Sequence, residues 1–191
     1  MPDLSREWFP DTVYHIYSRG NKCEAIFREP YDYEVFLRLL QSSQKKHGFT
    51  LHALCLMTNH FHLALEPSEA GITAIMRSPL FSYSRYFNKK YGLTGHVFES
   101  RFQSKPLKTD EDFLKLSKYI HLNPVRAGLA KTPEAYPYSS YFTYVTPEKP
   151  LSTATYTIRS LIDTTRTLDL MDSSEYRIFT ESEPAESVTL E

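Results

Sequence analysis

The sequence predicts an α+β fold, with one antiparallel sheet and helices packed on it. Three observations lead there. Two short apolar runs, residues 49–57 and 60–66, are separated by Thr58-Asn59 alone, as in a pair of buried strands. Segments with apolar residues at helical spacing stand before and after them. The resulting order is strand, helix, strand, strand, helix, strand, helix. At 191 residues the chain is long enough for one domain with a sizeable core.

The first strand spans residues 12–19, with Tyr14, Ile16 and Ser18 on one face, and Gly20-Asn21-Lys22 breaks it. Pro30 opens a helix in which Tyr33, Phe36, Leu37 and Leu40 recur at helical spacing until His47-Gly48. The strand pair follows. Its second member begins His60-Phe61-His62. Side chains alternate along a strand, so Phe61, Leu63 and Leu65 enter the core while His60 and His62 project together from the other face. Two imidazoles held side by side can bind a divalent cation; they can also merely cap the sheet edge with hydrogen bonds.

Pro67 and Gly71 mark a loop, and residues 72–91 read as a helix with Leu80, Tyr83 and Phe87 inside and Gly92 past its end. Pro79 is expected to kink or divide it, with Ser78 as a new cap. Residues 96–108 read as a hairpin carrying His96, Arg101 and Lys105. Thr109 then caps a helix whose first turn, Asp110-Glu111-Asp112, suits the positive end of the helix dipole. Phe113, Leu116 and Ile120 form its core stripe, and Pro124 is expected to end or kink it. Tyr119 and Asn123, four residues apart, lie along one edge of that stripe. If this edge meets the histidines, His60, His62 and Asn123 supply three neutral ligands with a hydroxyl beside them. The plainer alternative is a half-buried tyrosine and a helix-terminating asparagine.

After Tyr144 the composition shifts to Pro, Ser and Thr, with a short helix at residues 158–162 and an acidic, disordered end from residue 181. The expected division is a principal domain at 1–145 and an extension at 146–191. Cys23 and Cys55 show no metal or disulfide spacing, which suits free thiols in a reducing compartment. With no signal peptide and no apolar run near the ~20 residues of a membrane span, the expected location is the cytoplasm, away from membranes.

The net charge of −1 argues weakly against a nucleic-acid partner, but the distribution argues for one. Residues 1–145 hold 18 basic and 14 acidic side chains, a net +4, and residues 146–191 hold 4 and 9, a net −5. Within residues 77–131 the balance is 11 to 4, a net +7, around the Tyr119 helix. Part of that charge is ordinary solvated surface.

His60-Phe61-His62 matches the His-hydrophobe-His motif of the HUH single-tyrosine nucleases. Residues 119–128, Tyr-Ile-His-Leu-Asn-Pro-Val-Arg-Ala-Gly, resemble the tyrosine-helix signature of REP-associated tyrosine transposases. Ser18-Arg19-Gly20-Asn21, Tyr86-Phe87-Asn88, the stretch from Gly95 to Phe102 and Tyr136-Pro137-Tyr138-Ser139-Ser140-Tyr141 stand in the same order. The likeness spans about residues 12–145.

The resemblance implies a five-stranded ferredoxin- or RRM-like core and a metal-dependent transposase/endonuclease. Tyr119 would be the nucleophile, and His60, His62 and Asn123 would hold Mg²⁺ or Mn²⁺. A cation there would favour the phenolate and polarise the phosphate, and imidazoles favour Mn²⁺ more than Mg²⁺. The implied product is a covalent 5′-phosphotyrosine on single-stranded DNA, which a free 3′-hydroxyl can reverse without ATP. Related transposases often place glutamine where Asn123 stands; the shorter side chain requires the helix to sit closer to the histidines. The implied substrates are imperfect palindromic hairpins with an adjacent guide sequence, and a monomer is favoured over a helix-exchanging dimer. DNA contacts fall on Ser18, Arg19, Gly20 and Asn21 after the first strand, on Arg85, Asn88, Lys89 and Lys90 of the second helix, and on His96, Arg101, Phe102 and Lys105. Lys115 and Lys118 beside the tyrosine complete the set. The competing readings are a hairpin-binding regulator on the same fold without chemistry, and a metal nuclease in which water attacks and Tyr119 only packs.

Overall fold

A computed structural model describes residues 8–146 and 152–182. Strands β1 (Tyr14–Arg19), β2 (Thr50–Leu56), β3 (His60–Glu66) and β4 (Gln103–Pro106) form one antiparallel sheet in the order β2-β3-β1-β4. The helices are α1 (Pro30–His47), α2 (Ile72–Tyr91), α3 (Asp110–Arg126), α4 (Tyr141–Val145), α5 (Thr153–Leu161), α6 (Thr165–Leu170) and α7 (Ser173–Glu181).

The apolar face of the sheet packs on α1 and α2. Ile16, Leu54, Phe61 and Leu63 share a core with Phe36 and Leu40 of α1 and Ile75 and Tyr83 of α2, all essentially without exposure. A register shift between Leu51 and Ala53 lets Leu51 and Leu54 face this side together although they are three apart. The other face carries short residues. Ala53, Cys55 and Ala64 meet Phe113, Leu116 and Ile120 of α3. A floor of two alanines and a cysteine admits the helix close to the sheet.

The helix ends follow their sequence signals. Glu29 and Asp32 form a capping box at α1, and Gly48 and Gly92 close α1 and α2 in the left-handed conformation that favours glycine. Thr109 Oγ1 accepts the Asp112 N–H at 3.1 Å to start α3. Four expectations are corrected. The sheet has four strands among the described residues, not five. Residues 96–102 form no hairpin arm: they are irregular and tied to the sheet by the Gly20–Phe98 bridge and the Glu99 N–H to Arg19 carbonyl bond. Helix α2 passes through Pro79 undivided. Helix α3 likewise continues through Pro124 to Arg126, and the N–H groups of Ala127 and Gly128 close the end on the Asn123 and Val125 carbonyls.

Residues 152–182 are helical and packed on the rest. Ile158 and Leu161 of α5 enter the α1 side of the core, and Tyr176 of α7 is fully buried against Tyr141 and Tyr144. The acidic end beyond residue 182 lies outside the described residues.

Candidate active site

Alternation along β3 sets His60 and His62 on the α3 face, with ring centroids 5.0 Å apart and planes at 78°. Helix α3 brings Tyr119 edge-on to His62, centroids 5.3 Å apart, and places Asn123 Oδ1 3.3 Å from His60 Nε2. His60 and Asn123 are 63 positions apart in the chain. They meet because the stripe of Phe113, Leu116 and Ile120 seats α3 on the sheet with its Tyr119–Asn123 edge toward the histidines.

Outer partners settle which nitrogens face the cleft. The Asn59 amide nitrogen donates to the Cys23 carbonyl at 3.2 Å, so its oxygen faces His60 Nδ1 at 2.7 Å. An oxygen only accepts, so His60 carries its proton on Nδ1 and leaves Nε2 bare toward Asn123. Two lone pairs then face each other across 3.3 Å. Rotation of the Asn123 amide relieves that contact as a hydrogen bond; a shared cation relieves it as coordination. His62 has an outer partner too: its Nδ1 lies 2.9 Å from His15 Nε2 on β1.

Burial lowers the basicity of all three imidazoles. For His60 burial acts first and Arg19 adds to it, while the Asn123 oxygen, which would accept from the protonated ring, opposes them. For His62 burial acts first and His15 and His60 reinforce it, well below the ordinary value. His15 is brought to about 3 by burial and then Lys105. At neutral pH each ring is uncharged, the form that binds a cation. Two neutral histidines and an amide oxygen could hold a divalent cation, and they add no negative charge to compete with a phosphate.

The site opens into a cleft of about 570 Å³ lined by Tyr17, Arg19, His60, His62, Glu99 and Tyr119 among others. The sequence model of the IS200-like transposase family matches residues 9–123, which is more than half of the chain and includes β1, the paired histidines and Tyr119. The chain belongs to the IS200-like transposase family. A protein of Haemophilus influenzae described as a REP-associated tyrosine transposase is 29% identical over 105 residues, which are 49% of this chain and 59% of the relative. The chain therefore spans less than two thirds of that relative's length. A solved structure described as a REP-associated tyrosine transposase bound to a REP hairpin superposes with a TM-score of 0.62 at 18% identity, covering 78% of this chain and 89% of that one. That likeness establishes the fold.

Other expected site residues of this IS200-like transposase divide by location. Arg19 reaches the cleft mouth, where its guanidinium is paired with Glu99 at 2.8 Å. Gly20 is required by a close approach: a Cβ there would meet the Glu24 carbonyl oxygen at 2.1 Å. The Asn21 N–H bonds the Val97 carbonyl, which ties the loop after β1 to residues 96–102. Arg101 lines this cleft and an adjoining groove of about 830 Å³, where His96 joins it and Phe81 stands exposed under the Arg85 guanidinium at 5.8 Å. Lys89 is exposed on α2, and Lys105 sits on β4 opposite His15.

Several residues do not sit as expected for DNA contacts. Ser18 is buried on the core side of β1. Phe102 is buried in the core, whereas the ring of Phe81 is exposed. Asn88 Nδ2 donates to the Gly95 carbonyl at 2.9 Å and closes the loop after α2. The Lys90 ammonium is turned onto Asp32 at 2.7 Å. Lys115 pairs with Glu111 at 2.6 Å. Lys118 donates to the carbonyls of Phe179 and Ser182 at 2.6 and 2.9 Å, at the end of α7. The cation beside the Tyr119 ring is Arg126, its guanidinium carbon 5.5 Å from the centroid.

His15, Tyr17 and Arg126 were missed. The first two were legible: if Tyr14, Ile16 and Ser18 share one face of β1, then His15, Tyr17 and Arg19 share the other. Antiparallel pairing sets Tyr17 directly across from His62. Arg126 was hidden by the expectation that α3 ends or kinks at Pro124.

Proposed function

We propose that this chain cleaves and rejoins single-stranded DNA beside a hairpin, with Tyr119 as nucleophile. The observation that carries the reading is the meeting of Tyr119 and Asn123 with His62 and His60, with the imidazoles neutral and His60 presenting Nε2. The REP hairpin partner of the structural neighbour and its likeness to this fold support the choice of DNA class.

The Tyr119 hydroxyl attacks the scissile phosphorus as the P–O3′ bond breaks in line. A 5′-phosphotyrosine forms, the phenolic proton is lost and the departing O3′ gains one. Attack by a 3′-hydroxyl on that linkage reverses the exchange, conserving bond energy without ATP. His60, His62 and Asn123 would hold a divalent cation, which when bound supplies charge stabilisation at the phosphate oxygens. Arg126 packs over the Tyr119 ring as a cation–π partner and helps to hold its orientation. Arg19 and Arg101 at the cleft mouth bind the backbone, and the groove with Phe81 offers a stacking surface to an unpaired base. Residues 1–145 carry this chemistry, and the extension holds α3 in place.

The test is a denaturing gel of the full chain mixed with Mn²⁺ and a labelled hairpin oligonucleotide from the DNA flanking its own gene. A protein–DNA adduct that survives denaturation is expected. Cleavage without an adduct would instead identify a hydrolytic nuclease, and binding without cleavage a hairpin-binding regulator.

A further inference from the structure

We propose that His15 is a positioning residue that selects the metal-binding tautomer of His62; this rests on the metal site proposed above. His15 Nε2 and His62 Nδ1 are 2.9 Å apart, with both rings buried and stacked, centroids 5.1 Å apart. Only one proton occupies that contact. If His15 donates it, His62 keeps its own proton on Nε2, and the nitrogen on the cleft side cannot bind a cation. If His62 donates it, His62 Nε2 is bare and matches the bare Nε2 that Asn59 enforces on His60. The two histidines then present the same nitrogen to one site, each anchored through Nδ1 by a neighbour outside it.

The second arrangement leaves a mark on His15. Its proton must sit on Nδ1, a buried atom with no hydrogen-bond partner among the described residues. That nitrogen has no partner in either arrangement, so its burial does not choose between them; the bare Nε2 that a cation requires on His62 does. The edge-on contact of His15 with Tyr119, centroids 6.1 Å apart, also places it behind the nucleophile's ring.

The experiment combines ¹⁵N NMR of the histidine rings in the metal-free full chain with Mn²⁺ titration followed by the loss of its free EPR signal. Three proteins are compared: wild type, His15→Phe and His15→Gln. Wild type is expected to show His62 protonated on Nδ1. His15→Phe is expected to fold as stably but to move the His62 proton to Nε2 and weaken Mn²⁺ binding by about tenfold or more. His15→Gln, whose amide oxygen can accept from Nδ1, is expected to recover most of that loss. Protonation of His62 on Nε2 in wild type, or unchanged Mn²⁺ affinity in His15→Phe, overturns the inference. If wild type binds no Mn²⁺, the metal reading itself fails, and the NMR tautomer alone still decides whether His15 sets the His62 proton.

Discussion

Tyr176 on α7 holds its hydroxyl 2.6 Å from His121 Nδ1 on α3, two residues before Asn123 on the same helix. The contact is one link of a chain. Ser117 Oγ also meets the Tyr176 hydroxyl at 2.5 Å, His121 Nε2 reaches Ser140 Oγ at 2.8 Å, and that oxygen accepts the Leu54 N–H of β2 at 2.9 Å. The back of the tyrosine helix is thus fastened to the C-terminal extension and to the sheet, while its front edge carries Tyr119 and Asn123. Tyr176→Phe, which strips one partner from both His121 and Ser117, is expected to lower stability by about 1–3 kcal/mol in urea unfolding. Truncation before residue 173 removes the α7 side of this fastening, leaving the link through Ser140 to β2, and is expected to lower adduct yield together with melting temperature. Full activity and an unchanged melting temperature after that truncation would show that α7 is dispensable.

Tyr119→Phe is expected to keep the fold and hairpin binding while forming no covalent adduct. The loss of one hydroxyl should cost at most about 1 kcal/mol. Peptide mapping of a trapped wild-type adduct is the direct check, and Tyr17 is the rival to watch because it lines the same cleft. A DNA-modified peptide containing Tyr17 in place of Tyr119 would refute the assignment.

His60→Ala and His62→Ala are each expected to abolish cleavage while leaving hairpin affinity within about tenfold, because phosphate contacts dominate binding. Gel-shift titration and cleavage assays on the same preparations separate the two effects. Cleavage that persists in the double variant with a chelator present contradicts the metal site.

Glu99 neutralises Arg19 at the cleft mouth, and both side chains are about half exposed. An exposed pair of this kind adds little to stability. Glu99→Gln should therefore leave urea unfolding within about 0.5 kcal/mol while raising single-stranded DNA affinity severalfold, with a steeper salt dependence. Unchanged affinity would place the DNA path elsewhere.

Asp32 anchors α1 to α2. Its buried carboxylate accepts from the Lys90 ammonium, the Tyr86 and Tyr91 hydroxyls and the Arg28 N–H at 2.7–2.8 Å. Burial alone would raise its pKa, but the bonds from Lys90, Tyr91, Tyr86 and Arg28 outweigh burial, and the net shift is downward. A folded pKa below the unfolded ~3.9 means the contribution is complete above about pH 4 and fades as pH falls through the folded value. Asp32→Asn should cost about 3 kcal/mol at pH 7, because it leaves a desolvated network without its charge. Its cost in urea unfolding should shrink as the pH falls through that lowered value.

Alternation along β3 and the heptad-like stripe of α3 made His60, His62, Tyr119 and Asn123 readable, because each depends only on local periodicity. The glycines after α1 and α2 were readable for the same reason. The remainder depends on contacts between distant segments. Lys118 looks like a DNA-facing lysine until α7 presents two carbonyls to it. Phe102 looks like a stacking ring until the core encloses it. Lys90 looks like a phosphate contact until Asp32, 58 positions earlier, captures it. Proline misled in the opposite direction: packing against the sheet holds α3 helical through Pro124, where local preference favours a break.

The small side chains beneath α3 act as a spacer. Ala53, Cys55 and Ala64 set how far the helix stands from the sheet, and Asn123 touches His60 only because that stand-off is short. A methyl or two added at Ala64 would lift the helix and stretch the His60–Asn123 contact without altering any ligand, whereas a longer amide at residue 123 could span the wider gap. Helix height and side-chain length are thus two settings of one gauge, and a chain that changes one must change the other.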